Sequence, residues 1–384
     1  MKQIKFILLI VLICSNITSQ SIKTGAERTE LWLPILKDKK VALLVNHTAV
    51  VENTHLLDTM LALGIKVQKI FLPEHGFRGD ADAGETVRDD IDVKTGVPLV
   101  SIYGRTKKPT KEQMKGIDIV VFDIQDVGVR FFTYISSMHY MMEACAENNV
   151  QFVVFDRPNP NGDYFDGPIL KQEFTSFVGM HPIPVVHGLT VGELAQMING
   201  EGWLADSRKC SLTIIPNANY NRNMRYSVPI KPSPNLPNDL SIRLYPSLCF
   251  FEGTNVSIGR GTYFPFQVIG YPSPTFGEFS FTPVSIKGMA SHPLQEGKLC
   301  FGDDLRDLNP YEQKFTLSYF LDYYKKSNFD NNFISRENFF KLLAGTDELL
   351  NQIKSNMTEE DIRKTWEEGL KIFEKMRKKY LLYE

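Results

Sequence analysis

The N-terminal half of this sequence alternates short apolar runs with helix-like stretches, and that alternation excludes most fold classes. The apolar runs are rich in β-branched residues, as is typical of strands buried on both faces. They are KVALLVN at 40–46, VQKIFLP at 67–73, PLVSIYG at 98–104, IDIVVFDIQD at 117–126 and VQFVVFDRP at 150–158. Stretches such as THLLDTMLALG and TYISSMHYMMEACAENN, with apolar residues at helical spacing, lie between them. Strands that alternate with helices predict βαβ units and therefore a parallel sheet.

The sequence pattern changes after Asp163. HGLTVGELAQMINGEGWL contains a capping box, Thr190 with Glu193, and predicts a helix, whereas CSLTIIPN predicts another strand. Residues 217–283 are rich in Pro, Gly, Asn and aromatic residues and show few regular signals. Because so many aromatic rings need packing partners, we expect this segment to be packed and not a flexible linker. From about residue 309 helical patterns return, and TEEDIRKTWEEGLKIFEKMRKKYLLY predicts one final helix.

The length and apolar content predict a large core. A chain of 384 residues with 43% hydrophobic residues is long enough for two domains. We predict a first domain over residues 20–205 and a second over residues 206–384, after a signal peptide over residues 1–19.

The first residues have the layout of a secretory signal peptide. Met1 to Lys5 contains two lysines, an apolar run follows to Ile13, and CSNITSQ comes next. The run is too short for a permanent membrane anchor, so we predict cleavage after Ser19 and secretion across the inner membrane, to the periplasm or outside. Cys14 suggests lipoprotein anchoring as an alternative, which the bulky Ile13 disfavours. No later segment predicts a transmembrane helix, and we expect no stable membrane association.

Charge and cysteine content exclude further classes. Removing Lys2 and Lys5 from the 43 basic residues leaves 41 against 45 acidic residues, a formal charge of −4. Such a chain has no electrostatic reason to bind nucleic acid or an anionic membrane. The other four cysteines form no CxxC pair, which argues against a zinc ribbon or a dense disulfide framework. Buried thiols and one or two bridges both remain possible, and we predict a free thiol for Cys145 because it lies in a helical pattern.

Four of the five predicted strands lead directly into charged or hydrogen-bonding side chains. In open parallel sheets, ligands bind outside the carboxyl ends of the strands. The candidates are Asn46 and His47 after the first strand, Glu74, His75 and Arg78 after the second, Asp123, Gln125, Asp126 and Arg130 after the fourth, and Asp156, Arg157 and Asn159 after the fifth. The sequence therefore predicts a functional cleft at this edge of the sheet.

Several site chemistries fit this edge poorly. The first strand-to-helix turn, LLVNHTAVVEN, contains no glycine, so its backbone could not approach a pyrophosphate as a GxGxxG turn does. The glycines of SIGRGTYF lie outside a clear βα context, and no Walker A motif is present, so we expect no cofactor. Glu74 and His75 are adjacent and have no HxxxH or HxH partner, which favours a site without metal. A GxSxG nucleophile elbow is also missing.

Carboxylate chemistry remains. Glu74 follows Pro73 at a strand end, near apolar residues that would desolvate its carboxyl and favour the protonated form that a general acid needs. Asp123, Asp126 and Asp156 follow neighbouring strands. Two carboxylates in differently polar surroundings are what glycoside hydrolysis requires, which makes Asp123 and Asp126 candidate catalytic partners.

Each of these residues also has a purely structural interpretation. Asp156 and Arg157 could form a local salt bridge within the turn DRPNPNG. His47 and His187 could cap or pack, and Asp123 could bond to the next helix.

Six motifs, in this order, resemble the secreted NamZ-type exo-β-N-acetylmuramidases. They are PEHGFRG, VVFDIQDVGVRFFTYI, VVFDRPNPNG with DGPIL, FVGMHPIPVVHGLTVGELA, PSPNLP and FFEGTNVSIGRGT. The resemblance implies a Rossmann-like N-terminal domain, a smaller α+β C-terminal domain and an active-site cleft between them. It also implies release of N-acetylmuramic acid from the non-reducing ends of peptidoglycan fragments, with Glu74 of PEHGFRG as the catalytic glutamate. Lys231 and Ser247 depart from the residues expected at their loop positions, which affects subsite details more than the reaction.

Muramic acid carries a lactyl carboxylate, so we expect a guanidinium in its pocket. Arg78, Arg130, Arg157 and Arg260 are the candidates, and we favour Arg78 and Arg260 because each adjoins a glycine. RFFTY, which contains Tyr134, and TYFPF supply aromatic rings. The remaining candidate substrate contacts are Asn46, His75, Gln125, Asp156, His187 and Asn235.

Two other functions remain open at this point. One is a non-catalytic muropeptide-binding protein that uses the same cleft. The other is an esterase or amidase acting on wall fragments, which would need a nucleophile that the sequence does not display. Whether the 2-acetamido group of the substrate attacks the anomeric carbon also stays open.

Overall fold

The computed structural model describes residues 21–74, 76–77, 89–104, 106–330 and 332–384. The predicted signal peptide lies outside these residues. So do the predicted site residues His75 and Arg78.

Strands and helices alternate over the described residues between 21 and 216 and are followed by a more helical region. The strands are β1 (Lys40–Val45), β2 (Val50–Val51), β3 (Thr54–His55), β4 (Lys66–Leu72), β5 (Asp90–Ile91), β6 (Pro98–Ser101), β7 (Ile119–Asp123), β8 (Gln151–Phe155), β9 (Leu212–Ile215), β10 (Val268–Tyr271), β11 (Phe279–Phe281) and β12 (Cys300–Asp304). The helices are α1 (Thr29–Leu36), α2 (Leu56–Ala62), α3 (Lys111–Met114), α4 (Tyr134–Asn148), α5 (Val191–Gly200), α6 (Asp239–Leu248), α7 (Ser318–Lys326), α8 (Glu337–Ala344), α9 (Glu348–Lys354), α10 (Glu359–Lys364) and α11 (Glu367–Arg377). Short 3₁₀ helices cover Gly25–Glu27, Gln172–Phe174, Ala205–Ser207, Cys249–Gly253, Pro274–Phe276 and Pro310–Glu312.

A seven-stranded sheet in the described part of the chain has the order β5-β6-β4-β1-β7-β8-β9. The six neighbouring strands β6, β4, β1, β7, β8 and β9 are parallel to one another. The edge strand β5 is antiparallel to its neighbour β6. The predicted α/β fold with a mostly parallel sheet is therefore confirmed. Strand β9 pairs with β8, so the sheet extends beyond residue 205, where we predicted a domain boundary. We call residues 21–216 the sheet region and residues 217–384 the C-terminal region.

Both faces of the sheet are covered. Along β1, Ala42 and Leu44 belong to one apolar cluster, whereas Val41, Leu43 and Val45 belong to another, and all are fully buried. The alternation follows from the two-residue period of a strand. The second cluster includes side chains of α1 and α2, and the first includes side chains of α4, α5 and the C-terminal region. One continuous core therefore joins the two regions.

The helix predicted after Thr190 forms as α5. The Thr190 hydroxyl accepts a hydrogen bond from the Glu193 amide at 3.3 Å, and the Glu193 carboxylate accepts one from the Thr190 amide at 3.0 Å. The capping box read from the sequence is therefore confirmed.

The C-terminal region is more regular than its sequence suggested. A three-stranded antiparallel sheet has the order β10-β12-β11, and α6 lies within the segment that showed few signals. The Asn238 side chain accepts a hydrogen bond from the Ser241 amide and begins α6. Pro246, inside this helix, hid its pattern because proline usually ends a helix. The aromatic rings here are packed as expected, with Phe250, Phe251 and Phe266 fully buried.

The predicted final helix is divided into α10 and α11. The division falls at Thr365 and Trp366, and the Trp366 ring lies 6.2 Å from the ring of Phe315 in the core. The Trp366 indole is buried where the helix breaks. No glycine or proline at this position indicates the break in the sequence.

Two further features bear on the predictions. None of the helices in the described ranges is long and apolar enough to cross a membrane. The cysteines of these ranges, Cys145, Cys210, Cys249 and Cys300, are free and buried.

Arg130 is a fully buried cation that joins the sheet region to the C-terminal region. Its guanidinium donates to the carbonyls of Pro168 at 2.8 Å and Ile183 at 2.7 Å, and to those of Leu343 at 2.9 Å and Ala344 at 2.7 Å. Burial lowers the pKa of Arg130 to about 9. This placement contradicts the expectation that Arg130 binds substrate, because its side chain is enclosed and committed to main-chain carbonyls.

We expect Arg130→Gln to lower the free energy of unfolding by about 3 kcal/mol or more, because a hydrogen bond from a charged group is worth about 1.5–3 kcal/mol. Urea denaturation would measure this loss. Arg208→Gln is the matched control, since the Arg208 side chain is 49% exposed and bonds only locally to Asp206. Its effect should stay within about 0.5 kcal/mol. Similar stabilities for both variants would show that the hydrogen bonds of Arg130 do not stabilise the contact between the two regions.

Candidate active site

Glu74 follows β4 in a tight turn. Pro73 ends the strand, and the Gly76 amide donates to the Pro73 carbonyl at 3.2 Å. Gly76 has a φ of 69°, a conformation that glycine adopts at little cost. The turn leaves the Glu74 side chain half-buried at the carboxyl edge of the sheet.

Two hydroxyl groups hold the Glu74 carboxyl group. Tyr103 donates to Oε1 and Thr133 to Oε2, each at 2.8 Å. Burial and the charge of Glu74 raise the pKa of Tyr103 far above its ordinary value, so this phenol stays protonated. Thr133 immediately precedes α4, and Tyr134 begins that helix. Both carboxyl oxygens are therefore fixed by groups on separate elements.

Glu74 lines a cavity of about 220 Å³ between the two regions. The sheet region contributes Glu74, Tyr103, Phe131, Phe132, Thr133, Tyr134, Phe177 and Val178, and the C-terminal region contributes Ser233, Asn235, Leu236, Tyr245, Glu252, Arg260, Phe266 and Phe339. The lining combines aromatic rings with a few acidic, cationic and amide groups, as is typical of small-molecule sites.

The C-terminal region brings a second acid to this cavity. Glu252 lies in the 3₁₀ helix Cys249–Gly253, and its Oε1 accepts from Arg260 Nε at 3.0 Å and Nη2 at 2.6 Å. The side chains of Glu252 and Arg260 are 23% and 27% exposed, so a ligand in the cavity can reach them. Arg336 donates to the main-chain carbonyl of Glu252 and fixes the backbone there.

Four of the predicted site residues lie together in the cavity: Glu74, Tyr134, Asn235 and Arg260. The Tyr134 hydroxyl lies 3.5 Å from the main-chain carbonyl of Glu74. The Asn235 amide nitrogen donates to the Met289 carbonyl at 2.8 Å, which fixes its side chain.

Asp123 and Arg157 form a buried ion pair away from the cavity. Arg157 Nε lies 2.5 Å from Asp123 Oδ1, and Nη2 lies 2.9 Å from Oδ2. The two side chains are 0% and 3% exposed. Burial raises the pKa of Asp123, although Arg157 opposes this shift. We had expected both residues at the substrate, but the structure commits them to each other at the ends of β7 and β8.

Asp156 fixes the start of α5. Its carboxylate accepts from the Gly192 amide at 2.8 Å, from the Thr190 hydroxyl at 2.7 Å and from the Tyr383 hydroxyl at 2.6 Å. Burial raises the pKa of Asp156 to about 7, although these donors favour the charged form. Asp156 is fully buried, so the structure gives it a capping role and no contact with substrate.

A buried polar layer contains the predicted residues Asn46, Gln125, Asp126 and His187. Asn46 Oδ1 accepts from the amide and hydroxyl of Thr48, and Gln125 donates to the carbonyls of Asp126 and Pro158. Asp126 Oδ2 accepts from the Gly128 amide at 2.6 Å and lies 3.6 Å from His187 Nε2.

None of these four residues lines the cavity around Glu74 in the described structure, although Asn46 contacts Tyr134, which does. The expectation that Asp126 is catalytic therefore finds no geometric support, because its carboxylate is 4% exposed within a loop. A Cβ at Gly128 would lie 2.2 Å from the Asn159 side chain, so the loop packs as tightly as glycine allows. No cluster of His, Cys, Asp or Glu within the described residues could hold a metal ion.

Four residues of the cavity were not predicted from the sequence: Glu252, Tyr103, Thr133 and Phe177. Glu252 stands in the motif FFEGTNVSIGRGT, but it follows no strand and therefore escaped a search of strand ends. Phe177 occupies the tip of a tight turn in which Ser176 and Gly179 exchange main-chain hydrogen bonds. Its half-buried ring could have been found only from the fold.

The fold and the site define an α/β protein with a carboxylate-lined cavity between a doubly wound sheet and a helical C-terminal region. The chain belongs to the NamZ family of exo-β-N-acetylmuramidases. The family's N-terminal model, "Exo-beta-N-acetylmuramidase NamZ, N-terminal", matches residues 41–240, and its C-terminal model matches residues 243–383.

Similar proteins cover nearly the whole chain. The peptidoglycan β-N-acetylmuramidase NamZ of Bacillus subtilis (strain 168) is 42% identical over 377 residues, which is 91% of this chain and 88% of that protein. A crystal structure of a DUF1343 family protein from Bacteroides fragilis has a TM-score of 0.88 at 47% identity and covers 95% of this chain and 99% of its own. A second DUF1343 crystal structure from the same organism has a TM-score of 0.81 at 30% identity, covering 94% and 99%.

The raised pKa of Asp156 predicts a pH dependence of stability. The folded protein holds the Asp156 proton up to about pH 7, whereas an unfolded aspartate releases it near pH 3.9. The contribution of this group is therefore largest below about pH 4 and declines as the pH rises to about 7. Asp156→Asn should remove the decrease in the free energy of unfolding that Asp156 causes between about pH 4 and pH 7.

Urea denaturation between pH 4 and pH 8 would measure the free energy of unfolding of both proteins. Asp206→Asn is a suitable control, because the Asp206 side chain is 78% exposed, and it should keep the wild-type slope. If the free energy of unfolding of Asp156→Asn changes with pH as it does in the wild-type protein, Asp156 does not cause this pH dependence.

Proposed function

We propose that this protein is an exo-acting glycoside hydrolase that releases N-acetylmuramic acid from the non-reducing ends of peptidoglycan fragments. Membership in the exo-β-N-acetylmuramidase family supports the reaction class. The observation that carries the proposal is the carboxyl group of Glu74, fixed by two hydroxyls on the wall of a cavity shared by both regions.

Glu74 is the general acid in this proposal. Protonation of the glycosidic oxygen requires a carboxyl group whose position does not change when its proton leaves. A hydroxyl can donate or accept, so Tyr103 and Thr133 can hold Glu74 in either protonation state. Phe71 and Leu72, which precede the turn, are buried in the core and anchor the backbone that carries Glu74.

The cavity also suits an anionic amino sugar. Arg260 lines it, and the bonds to Glu252 use Nε and Nη2, which leaves Nη1 for the lactyl carboxylate. The aromatic rings of Phe177 and Phe339 are partly exposed in the same lining and offer apolar faces to a sugar ring. Arg78 remains a second candidate for the lactyl group, outside the described residues.

Export of the protein belongs to the same proposal. Peptidoglycan lies outside the inner membrane, and the first 19 residues have the charge and apolar pattern of a signal peptide.

Glu74→Gln should fold normally and lower kcat on a disaccharide with a non-reducing N-acetylmuramic acid, whose sugar leaving group needs a proton, by about 10²–10⁴-fold, the usual contribution of general acid catalysis. Chromatography of the released N-acetylmuramic acid would test this. Glu368→Gln is the matched control, since the Glu368 side chain is 78% exposed, and it should keep wild-type activity. Muropeptide binding without any turnover by the wild-type protein would favour the binding-protein alternative. Wild-type turnover of this disaccharide by Glu74→Gln would overturn the role of Glu74.

Arg260→Met should weaken binding of N-acetylmuramic acid by about tenfold or more, because it removes a charge-assisted hydrogen bond. Binding of N-acetylglucosamine, which lacks the lactyl group, should change much less. Isothermal titration calorimetry with both sugars would measure the ratio. Equal losses for the two sugars would show that Arg260 does not recognise the carboxylate.

A further inference from the structure

Hydrolysis of a glycoside needs a second group besides the general acid. As the bond between the anomeric carbon and the glycosidic oxygen breaks, positive charge develops on the sugar ring. A carboxylate near the anomeric carbon stabilises that charge or activates the attacking water. The aspartates that follow the strands do not fill this role in the structure, because Asp123, Asp126 and Asp156 are buried in contacts away from the cavity.

Glu252 lines the cavity around Glu74, which these aspartates do not. It comes from the C-terminal region, whereas Glu74 comes from the sheet region. Its side chain is 23% exposed, so a substrate can reach it. Glu74 and Glu252 are the acidic residues in the described lining of this cavity.

Arg260 holds one carboxyl oxygen of Glu252. Its guanidinium donates two hydrogen bonds to Oε1 of Glu252, which leaves Oε2 for the reaction. Tyr103 and Thr133 donate to the two oxygens of Glu74 on the opposite wall of the cavity. A general acid and a second carboxylate, each held by its own donors, are the two groups that glycoside hydrolysis requires.

Main-chain contacts hold Glu252 in place. Arg336 donates to its carbonyl, and the Thr254 amide donates to the Phe251 carbonyl at 2.9 Å, closing the 3₁₀ turn. The Arg260 guanidinium also lies 5.1 Å from the centre of the Phe266 ring, which limits its movement.

We infer that Glu252 is the second catalytic carboxylate, with Arg260 as its positioning residue. This inference rests on the proposed function. Glu74 gives its proton to the glycosidic oxygen, which leaves with the electron pair of the broken bond. The oxygen of one water bonds to the anomeric carbon, and Glu252 takes a proton from that water. The step thus consumes one water and needs no other reactant, and solvent returns both carboxyls to their starting states.

The two carboxylates should respond oppositely to the leaving group. A good leaving group departs without protonation, so it replaces a missing general acid but not a missing base. We expect Glu74→Gln to regain most of its lost activity on a dinitrophenyl β-N-acetylmuramide relative to a methylumbelliferyl one. Glu252→Gln should lose about 10²-fold or more in kcat on both substrates. Added azide, a nucleophile that needs no base, should restore turnover in Glu252→Ala.

A purely structural role for Glu252 predicts other results. Wild-type kcat in Glu252→Gln would overturn the inference, and so would recovery of this variant on the activated leaving group. If Glu252→Ala does not fold, Glu252→Gln keeps the test valid, because it preserves the side-chain shape and one hydrogen bond to Arg260. Circular dichroism and thermal melting would verify the fold of each variant. No turnover of either substrate by the wild-type protein would refute the proposed function itself, which distinguishes the two failures.

Discussion

The four hydrogen bonds from Arg130 to main-chain carbonyls are the interaction on which the architecture of the site depends. The cavity exists only where the sheet region meets the C-terminal region, and the Arg130 guanidinium joins the loop after β7 to the end of α8. A buried cation with four carbonyl acceptors is costly to rearrange, because each carbonyl would lose its partner in a place that water does not reach. The relative position of the two walls is thereby fixed before any ligand binds, which is the preorganisation that catalysis requires.

The polar ends of the strands divide into two groups with different tasks. Glu74 follows β4 and reaches the cavity, whereas Asp123 at the end of β7 pairs with Arg157 and Asp156 after β8 holds the start of α5. Strands at the centre of a parallel sheet end in the interior, so charged groups at their ends must be paired or capped. This requirement produces the same residue types as a catalytic site, and for that reason the sequence alone overestimated the size of the site.

Prediction succeeded where local pattern decides structure. The positions of the five strands along the chain, the capping box at Thr190 and the position of Glu74 at a strand end follow from periodicity and from the chemistry of helix and strand ends. It failed where burial overrides pattern: α6 continues through Pro246, and the last helix divides so that Trp366 enters the core. The pairing of β9 with β8 likewise depends on contacts distant in sequence.

The sequence by itself determined a parallel αβ sheet, the family and one acidic residue at its edge, because strand period, motif order and residue type are written along the chain. Only the tertiary structure decided which other groups share the cavity with that acid. Glu252 is 178 residues away from Glu74 along the chain, which is the difference between the two residue numbers, and no periodic signal connects them. Their approach depends on how two regions pack around one core, and packing is a property of surfaces that local sequence does not encode.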